Sequence, residues 1–348
     1  MRIAFVVNDV DTEHPRAATT VLALAADRAG HRVHMIGVRE LTCFPDGHVG
    51  GVARAAPGGG KRTGRTFLKT VQGPAAPREP ITTADLDVLW LRYNPSEEVG
   101  ESAWAQDAGI LFGQVAMRQG VLVLNHPFSI HHSMNKLNLM HLPEDARPRM
   151  LVTRQIEEVR RFHGENGGRI VLKPLMGYGG ADVFLVEEDA ANLVQLMETL
   201  GRDGYVVVQS YLPDASEGDV RLFLINGRPL EIDGRYAAVH RKGAEGDFRS
   251  NISAGGRVSR ADVDERCLRL AELVRPRMVS DGLFFVGLDI VGDRLVEVNA
   301  ISAGGLNAAN VLEERDFSGA VIDAIARKVR YRQRYGLSIP NRVLATME

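Results

Sequence analysis

Two carboxylates and an amide stand close together late in the 348-residue chain: Asp289, Glu297 and Asn299. They fall in the stretch Phe285-Val286-Gly287-Leu288-Asp289-Ile290-Val291-Gly292-Asp293-Arg294-Leu295-Val296-Glu297-Val298-Asn299. Leu288 and Ile290 flank Asp289, and Val296 and Val298 flank Glu297, the period of two that marks a strand. Gly292-Asp293 is a hairpin turn signal. With Gly292, Asp293 and Arg294 as a three-residue loop, Asp289 lies opposite Glu297 and Asn299 shares their face. Leu288, Ile290, Val296 and Val298 then take the other face, toward a core. Like charges held opposite each other are destabilising unless something neutralises them. Magnesium, commonly bound by one or two carboxylates together with substrate phosphates, would do so. Taken alone, the pair reads more simply as a solvated strand face.

Other stretches carry chemistry of their own. Lys173 ends the strand Arg169-Ile170-Val171-Leu172-Lys173, and Pro174-Leu175-Met176-Gly177-Tyr178-Gly179-Gly180 follows before Val183–Val186. Glycines let backbone N–H groups approach phosphate oxygens closely. No helix follows directly, which excludes the dinucleotide-binding arrangement and leaves a nucleotide lid or a plain β-turn. Gly58-Gly59-Gly60-Lys61-Arg62 is not a P-loop: Ala55 stands at the first glycine, Arg62 replaces Ser/Thr, and no strand precedes it. His126, His131, His132 and His141 match no zinc spacing and have no cysteine nearby, so they read as scattered surface histidines.

The elements that must position these residues follow from the pattern. Ile3–Val7, Ala17–Ala29 and His31–Ile36 read strand, helix, strand, the opening of a doubly wound domain. Ligands of such sheets gather beyond the C-terminal strand ends. That places Asn8–Thr12 near a substrate, and Arg92, which ends the strand Asp87–Arg92, where a substrate carboxylate would dock. Residues 54–80, rich in Gly, Pro, Lys and Arg, read as a mobile surface excursion. Trp104–Gln119 reads as a helix and Val121–Leu124 as a strand. Further on come strands at Met150–Thr153, Arg169–Lys173, Val183–Val186, Tyr205–Gln209, Asp219–Ile225, Arg228–Asp233 and a segment into Arg241. A polar loop, Gly243–Gly256, precedes a helix at Arg260–Ser280, and Phe317–Arg330 is a closing helix.

Charged residues make up 25% of the chain and hydrophobic ones 45%, and the net charge is −2. That balance gives no electrostatic case for nucleic acid or an acidic membrane surface. No apolar run reaches the ~20 residues needed to span a bilayer, and the N-terminus shows no signal-peptide pattern. Cys43 and Cys267 cannot build a disulfide framework, and they fit a reducing cytoplasm.

Together these parts resemble the ATP-grasp superfamily, and within it the prokaryotic glutathione synthetases. The resemblance is carried by Lys136, by Leu172-Lys173-Pro174-Leu175, the Gly177–Gly180 loop, Tyr211-Leu212-Pro213, Gly218-Asp219-Val220-Arg221, and Val286–Leu295 with Glu297 and Asn299. It spans residues 1 to about 330, more weakly at the start. It implies an α/β protein with the ATP-grasp fold and an N-terminal doubly wound parallel-sheet domain. The expected division is 1–125 as that substrate domain, 126–212 as linker and lid, 213–335 as the catalytic unit and 336–348 as a tail.

The resemblance also implies roles. Lys136, Lys173, Gly177, Tyr178, Gly179, Gly180, Gln209, Ser210, Tyr211, Leu212 and Asp219 would bind ATP, the lysines as point charges on phosphates. Asp289, Glu297 and Asn299 would hold magnesium, two ions in all, with manganese able to substitute. Arg221 would steady the transferring phosphoryl group and the oxyanion, and Arg249 would close over the acyl phosphate. Arg92, Asn251, Gly255, Gly256 and Ser302 would face the substrates. The implied activity is an ATP-dependent carboxylate–amine ligase working through an acyl phosphate on small acids and amines, as a homo-oligomer. The alternatives are a ligase for other amino acids, one adding glutamate to a peptide or protein terminus, and a non-catalytic ATP-binding protein. One departure stands out. The family follows its metal asparagine with Ser-Pro-Thr and an Arg-Glu pair, whereas this chain has Ala300-Ile301-Ser302-Ala303-Gly304-Gly305-Leu306-Asn307-Ala308-Ala309-Asn310. The acceptor side is therefore altered, and a substrate pair other than γ-glutamylcysteine with glycine is expected.

Overall fold

A computed structural model describes residues 1–177, 181–202, 204–244 and 256–348. Tyr178, Gly179, Gly180, Arg249, Asn251 and Gly255 lie outside the described residues. The N-terminal sheet has seven strands. Its centre is parallel: Arg2–Val7 runs between Arg32–Gly37 and Val88–Leu91, and Leu122–Leu124 adds beyond. These strands are short apolar runs because helices cover both faces. A four-stranded antiparallel sheet follows, ordered Phe184–Val186, Ile170–Pro174, Val206–Ser210, Met150–Thr153. The last sheet is also antiparallel, ordered Arg257–Ser259, Ala238–Lys242, Asp219–Ile225, Phe285–Val291, Arg294–Asn299, with Arg228–Pro229 on the central strand.

The first and last sheets share one core. Trp90 of the parallel sheet packs edge-on to Phe285, ring centres 6.1 Å apart, and Phe285 stacks on Phe223 at 5.5 Å. Side chains from both ends of the chain are buried in this cluster, and just past two of the parallel strands Asn125 donates to Phe285 O and Arg92 to Ile301 O. Among the described residues, no helix is long and apolar enough to cross a membrane.

Three expectations are corrected. Residues 54–80 are not a bare excursion. Gly64–Val71 is a helix that buries Phe67, Leu68 and Val71, and Arg78–Thr82 pairs with Val49–Ala55. The apolar spacing of those three residues outweighs the surrounding Gly and Pro. The segment set apart as a tail contains a helix, Asn341–Thr346, with Leu344 and Ala345 fully buried. Asn341 takes the N–H and meets the C=O of Val123, each at 2.9 Å, so its amide caps the sheet edge as a strand partner would.

The third correction concerns the hairpin. The turn is two residues long, with Val291 opposite Arg294 and Ile290 opposite Leu295. A bulge after Asp289 restores the Asp289–Glu297 pairing. The extra residue is Val296, so Leu295 rather than Val296 enters the core while Val296 turns to the cleft.

Candidate active site

The hairpin presents Asp289, Glu297 and Asn299 on one face, and the neighbouring strand Asp219–Ile225 sets Arg221 directly opposite Asp289. One strand further, Arg241 lies opposite Asp219. Cross-strand register thus gathers five charged side chains and an amide in one patch. Arg221 forks onto Asp289, with Nε and Nη2 each 2.7 Å from a carboxylate oxygen. Arg241 forks onto Asp219, both bonds 2.7 Å, and its Nη2 also reaches Asp289 at 2.8 Å. Asn299 donates to Asp289 Oδ2 at 3.3 Å.

The electrostatics follow from burial and these partners. Burial pushes the Asp289 carboxyl up, but Arg221 and Arg241 outweigh it and hold it well below the usual carboxylate range. Burial pulls Arg241 down, yet Asp289 and Asp219 raise it above the ordinary arginine value. Glu297 is raised, first by burial and then by Asp289, against the pull of Lys136, Arg221 and Lys173. Cations of the protein itself therefore neutralise Asp289. The like-charge reasoning from the sequence has its answer in two arginines at Asp289, while Glu297 has no hydrogen-bond partner among the described residues.

A cleft of about 280 Å³ opens over this patch. Lys136, Gly177, Arg221, Glu297, Asn299, Ser302, Gly304 and Gly305 border it. Lys136 starts a short 3₁₀ turn and donates to Gly177 O at 2.9 Å, tying the wall to the glycine loop. Lys173 bonds Gln209 Oε1 at 2.8 Å and sits behind the wall, lowered to about 8 by burial and then by Lys136. Lys136 is lowered too, by burial, against Glu297. Burial thus holds both lysines below the usual lysine range, and an anion bound beside them would push both back up.

The remaining expected site residues divide. Ser210, Tyr211 and Leu212 are half-buried at the end of the Val206–Ser210 strand, outside the cleft lining, and Arg169 covers the Tyr211 ring at 4.2 Å. Gly256 is half-buried just before the strand Arg257–Ser259. Asp219 grips Arg241 rather than facing the cleft. Arg92 does not offer an open guanidinium to a substrate. It is 2% exposed, and it donates to Ile301 O, Ala303 O and Thr19 Oγ1. Arg241, Asn135 and Asn138 were missed from sequence. A cross-strand arginine partner for Asp219 was the available signal for the first. Nothing local marks the other two, whose side-chain oxygens are buried on the cleft wall without partners among the described residues.

Comparison with known proteins decides the family. Residues 135–314 match the ATP-grasp domain of prokaryotic glutathione synthetase, and residues 1–131 match its N-terminal domain. The chain belongs to the prokaryotic glutathione synthetase family. A glutathione synthetase of Yersinia pestis is 31% identical over 336 residues, 94% of this chain and 98% of that protein. One from Vibrio parahaemolyticus is 35% identical over 252 residues, 72% of this chain and 76% of that protein. Among solved structures, the D-cycloserine synthetase DcsG superposes with a TM-score of 0.64 over 94% of this chain at 13% identity, a likeness of fold. The glutathione synthetase-like chain is accordingly an ATP-dependent, ADP-forming carbon–nitrogen ligase with an ATP-grasp fold. A solved structure of like fold, the ATP-grasp ligase PsnB at 19% identity and a TM-score of 0.56, holds Mg and ADP.

The residues present fit magnesium. Among the described residues no three of His, Cys, Asp and Glu cluster as a metal site. The donor set is instead two carboxylates and one amide, all oxygen, as a hard cation prefers. Glu297 is open to the cleft. On Asp289, Oδ1 accepts one bond while Oδ2 takes three, which leaves lone-pair capacity on Oδ1.

Proposed function

We propose that this ligase activates the carboxylate of a peptide-like or amino-acid-like donor as an acyl phosphate and joins it to an amine other than glycine. The observation that carries the reading is the cleft in which Arg221, Glu297 and Asn299 meet Lys136 and the Ala300–Gly305 loop. Lys136 and Lys173 neutralise the ATP phosphates, with the glycine loop from Gly177 over them. Gln209–Leu212 lies along the base, and Asp219 acts through Arg241. Asp289, Glu297 and Asn299 hold magnesium, which when bound neutralises charge at the β- and γ-phosphates. The donor carboxylate attacks the γ-phosphate, ADP departs, and the amine attacks the acyl carbon before phosphate leaves. Arg221, whose Nη1 already reaches Gly304 O at 3.2 Å, stands beside that carbon to steady the oxyanion. Arg249, Asn251, Gly255 and Gly256 complete the closure over the acyl phosphate in this reading.

The acceptor side supports a departure from glycine. An acceptor carboxylate is usually fixed by an arginine fork. Here Arg221 and Arg241 are engaged by Asp289 and Asp219, and the loop offers Ser302 and the backbone at Gly304-Gly305. Family membership supports the further reading of two magnesium ions, manganese as a substitute and a homo-oligomer. Free Cys43 and Cys267 are in keeping with the cytoplasm. The test is kcat/KM from ADP release for γ-glutamylcysteine plus glycine beside a panel of acids and amines. A value above ~10⁴ M⁻¹s⁻¹ for that pair, with none better, overturns the acceptor assignment.

A further inference from the structure

The loop from Ala300 to Gly305 leaves the strand at Asn299 and borders the cleft up to the helix Leu306–Glu313. Its carbonyls are held by side chains from elsewhere. Asn125 donates to Ala300 O, and Arg221 donates to Gly304 O. Arg92 holds the stretch between them, Nη1 to Ile301 O at 3.0 Å and Nη2 to Ala303 O at 3.3 Å. Arg92 follows the last residue of the parallel strand Val88–Leu91, more than 200 residues away in sequence by either bond's separation of 209 or 211. Its guanidinium lies over the rings of Trp90 and Phe285, at 5.4 and 5.6 Å, and Nε donates to Thr19.

This is an unusual place for a cation. No carboxylate comes within salt-bridge distance of Arg92 among the described residues, and burial pulls it down to about 10, with Glu13 the counter-charge at longer range. A buried charge without a paired carboxylate is costly, so its donors must do something an apolar residue could not. Peptide geometry shows what that is. The bonds after Ile301 and Ala303 are trans, and in a planar trans peptide the N–H points opposite to the C=O. With both carbonyls turned onto Arg92, the N–H groups of Ser302 and Gly304 point away from it. Ile301, Ser302 and Gly304 all border the cleft, and of these two peptides the N–H groups turned away from Arg92 are those of Ser302 and Gly304.

We propose that Arg92 is a positioning residue: from the N-terminal sheet it fixes the carbonyls of Ile301 and Ala303 and so aims the N–H groups of Ser302 and Gly304 at substrate oxygens in the cleft. Its consequence for turnover rests on the ligase reading above, while the positioning itself does not. Two arms keep these apart. In the first, hydrogen exchange is followed by mass spectrometry on the full chain and on Arg92→Met, which keeps the apolar stem. The amides of the buried Ile301, Ala303 and Leu306 should exchange ~10-fold or more faster in the variant as the loop opens, while those of Ser302 and Gly304, turned to the cleft, exchange fast in both. The strands Arg2–Val7 and Val88–Leu91 should keep their protection. Unchanged loop exchange, or equal loss in those strands, overturns the proposal and makes Arg92 an ordinary core residue. In the second arm, ADP release is measured for Arg92→Lys and Arg92→Ala with γ-glutamylcysteine and the amine panel. KM for ATP should stay within about twofold while kcat and the KM for the amine worsen, and guanidinium at a sub-denaturing concentration should restore part of the Arg92→Ala loss. A KM rise confined to ATP contradicts the proposal. If even the wild type forms no amide, the ligase reading fails while the exchange result still decides the positioning.

Discussion

Replacing Arg221 by lysine isolates what its fork does. Lysine keeps the charge but can satisfy at most one of the two parallel 2.7 Å bonds to Asp289, and it cannot also reach Gly304 O. A hydrogen bond to a charged group is worth about 1.5–3 kcal/mol. Breaking a buried pair outright costs about 3–5 kcal/mol. Asp289 keeps Arg241 at 2.8 Å and the lysine charge remains, so the stability loss should fall near the lower figure, about 1.5–3 kcal/mol. The catalytic loss should be larger in effect. Removing a donor to a developing oxyanion costs on the order of 10²-fold in kcat. Denaturant unfolding gives the first quantity. A coupled ADP-release assay with the best substrate pair gives the second, and titration with a fluorescent ATP analogue checks that nucleotide affinity changes little. A variant that turns over normally yet binds ATP poorly would refute the reasoning and move Arg221 to nucleotide binding.

Other outcomes are expected. Glu297→Ala should abolish turnover without lowering stability, since Leu288, Ile290, Leu295 and Val298 on the buried side of the hairpin are untouched and an unfavourable buried charge is removed; normal activity in it, or in excess chelator, would remove the metal from the hairpin. Asn341→Ala should cost about 1–3 kcal/mol by leaving the buried N–H and C=O of Val123 unmet, and a neutral result would return residues 336–348 to the status of a tail. Lys328 donates to Asn226 Oδ1 at 2.7 Å and to Met347 O, and burial, then Arg327, lowers it from 10.5 to about 7. With the folded value depressed, the unfolded chain binds more protons between about 7 and 10.5, so stability should rise across that window. Relative to Lys328→Met, the wild type should gain about 1–4 kcal/mol on going from pH 7 to pH 10; a flat difference in urea unfolding would contradict the shift.

Much of this site was legible because its geometry is local. Period-two alternation and the Gly292-Asp293 turn place Asp289 across from Glu297. The turn signal predicts that pairing through a three-residue loop, whereas a two-residue turn and a bulge without a glycine to mark it produce it. The same bulge exchanges Leu295 and Val296 between core and cleft. Gly and Pro around residues 54–80 masked the helical spacing of Phe67, Leu68 and Val71. What stayed hidden depends on contacts far apart in sequence. A strand-end arginine such as Arg92 reads as a ligand contact until the backbone of residues 301–303 is seen to occupy it. Arg241 becomes part of the site only when three strands are laid side by side.

The acyl phosphate is the centre of the account, and isotope transfer tests it most directly. The donor, γ-glutamylcysteine or the better acid from the panel, is labelled with ¹⁸O in the reacting carboxylate and turned over with ATP and the amine. Attack on the γ-phosphate carries one labelled oxygen into inorganic phosphate, with ADP formed in step with the amide. Unlabelled phosphate, or release of AMP and pyrophosphate instead of ADP, would contradict it.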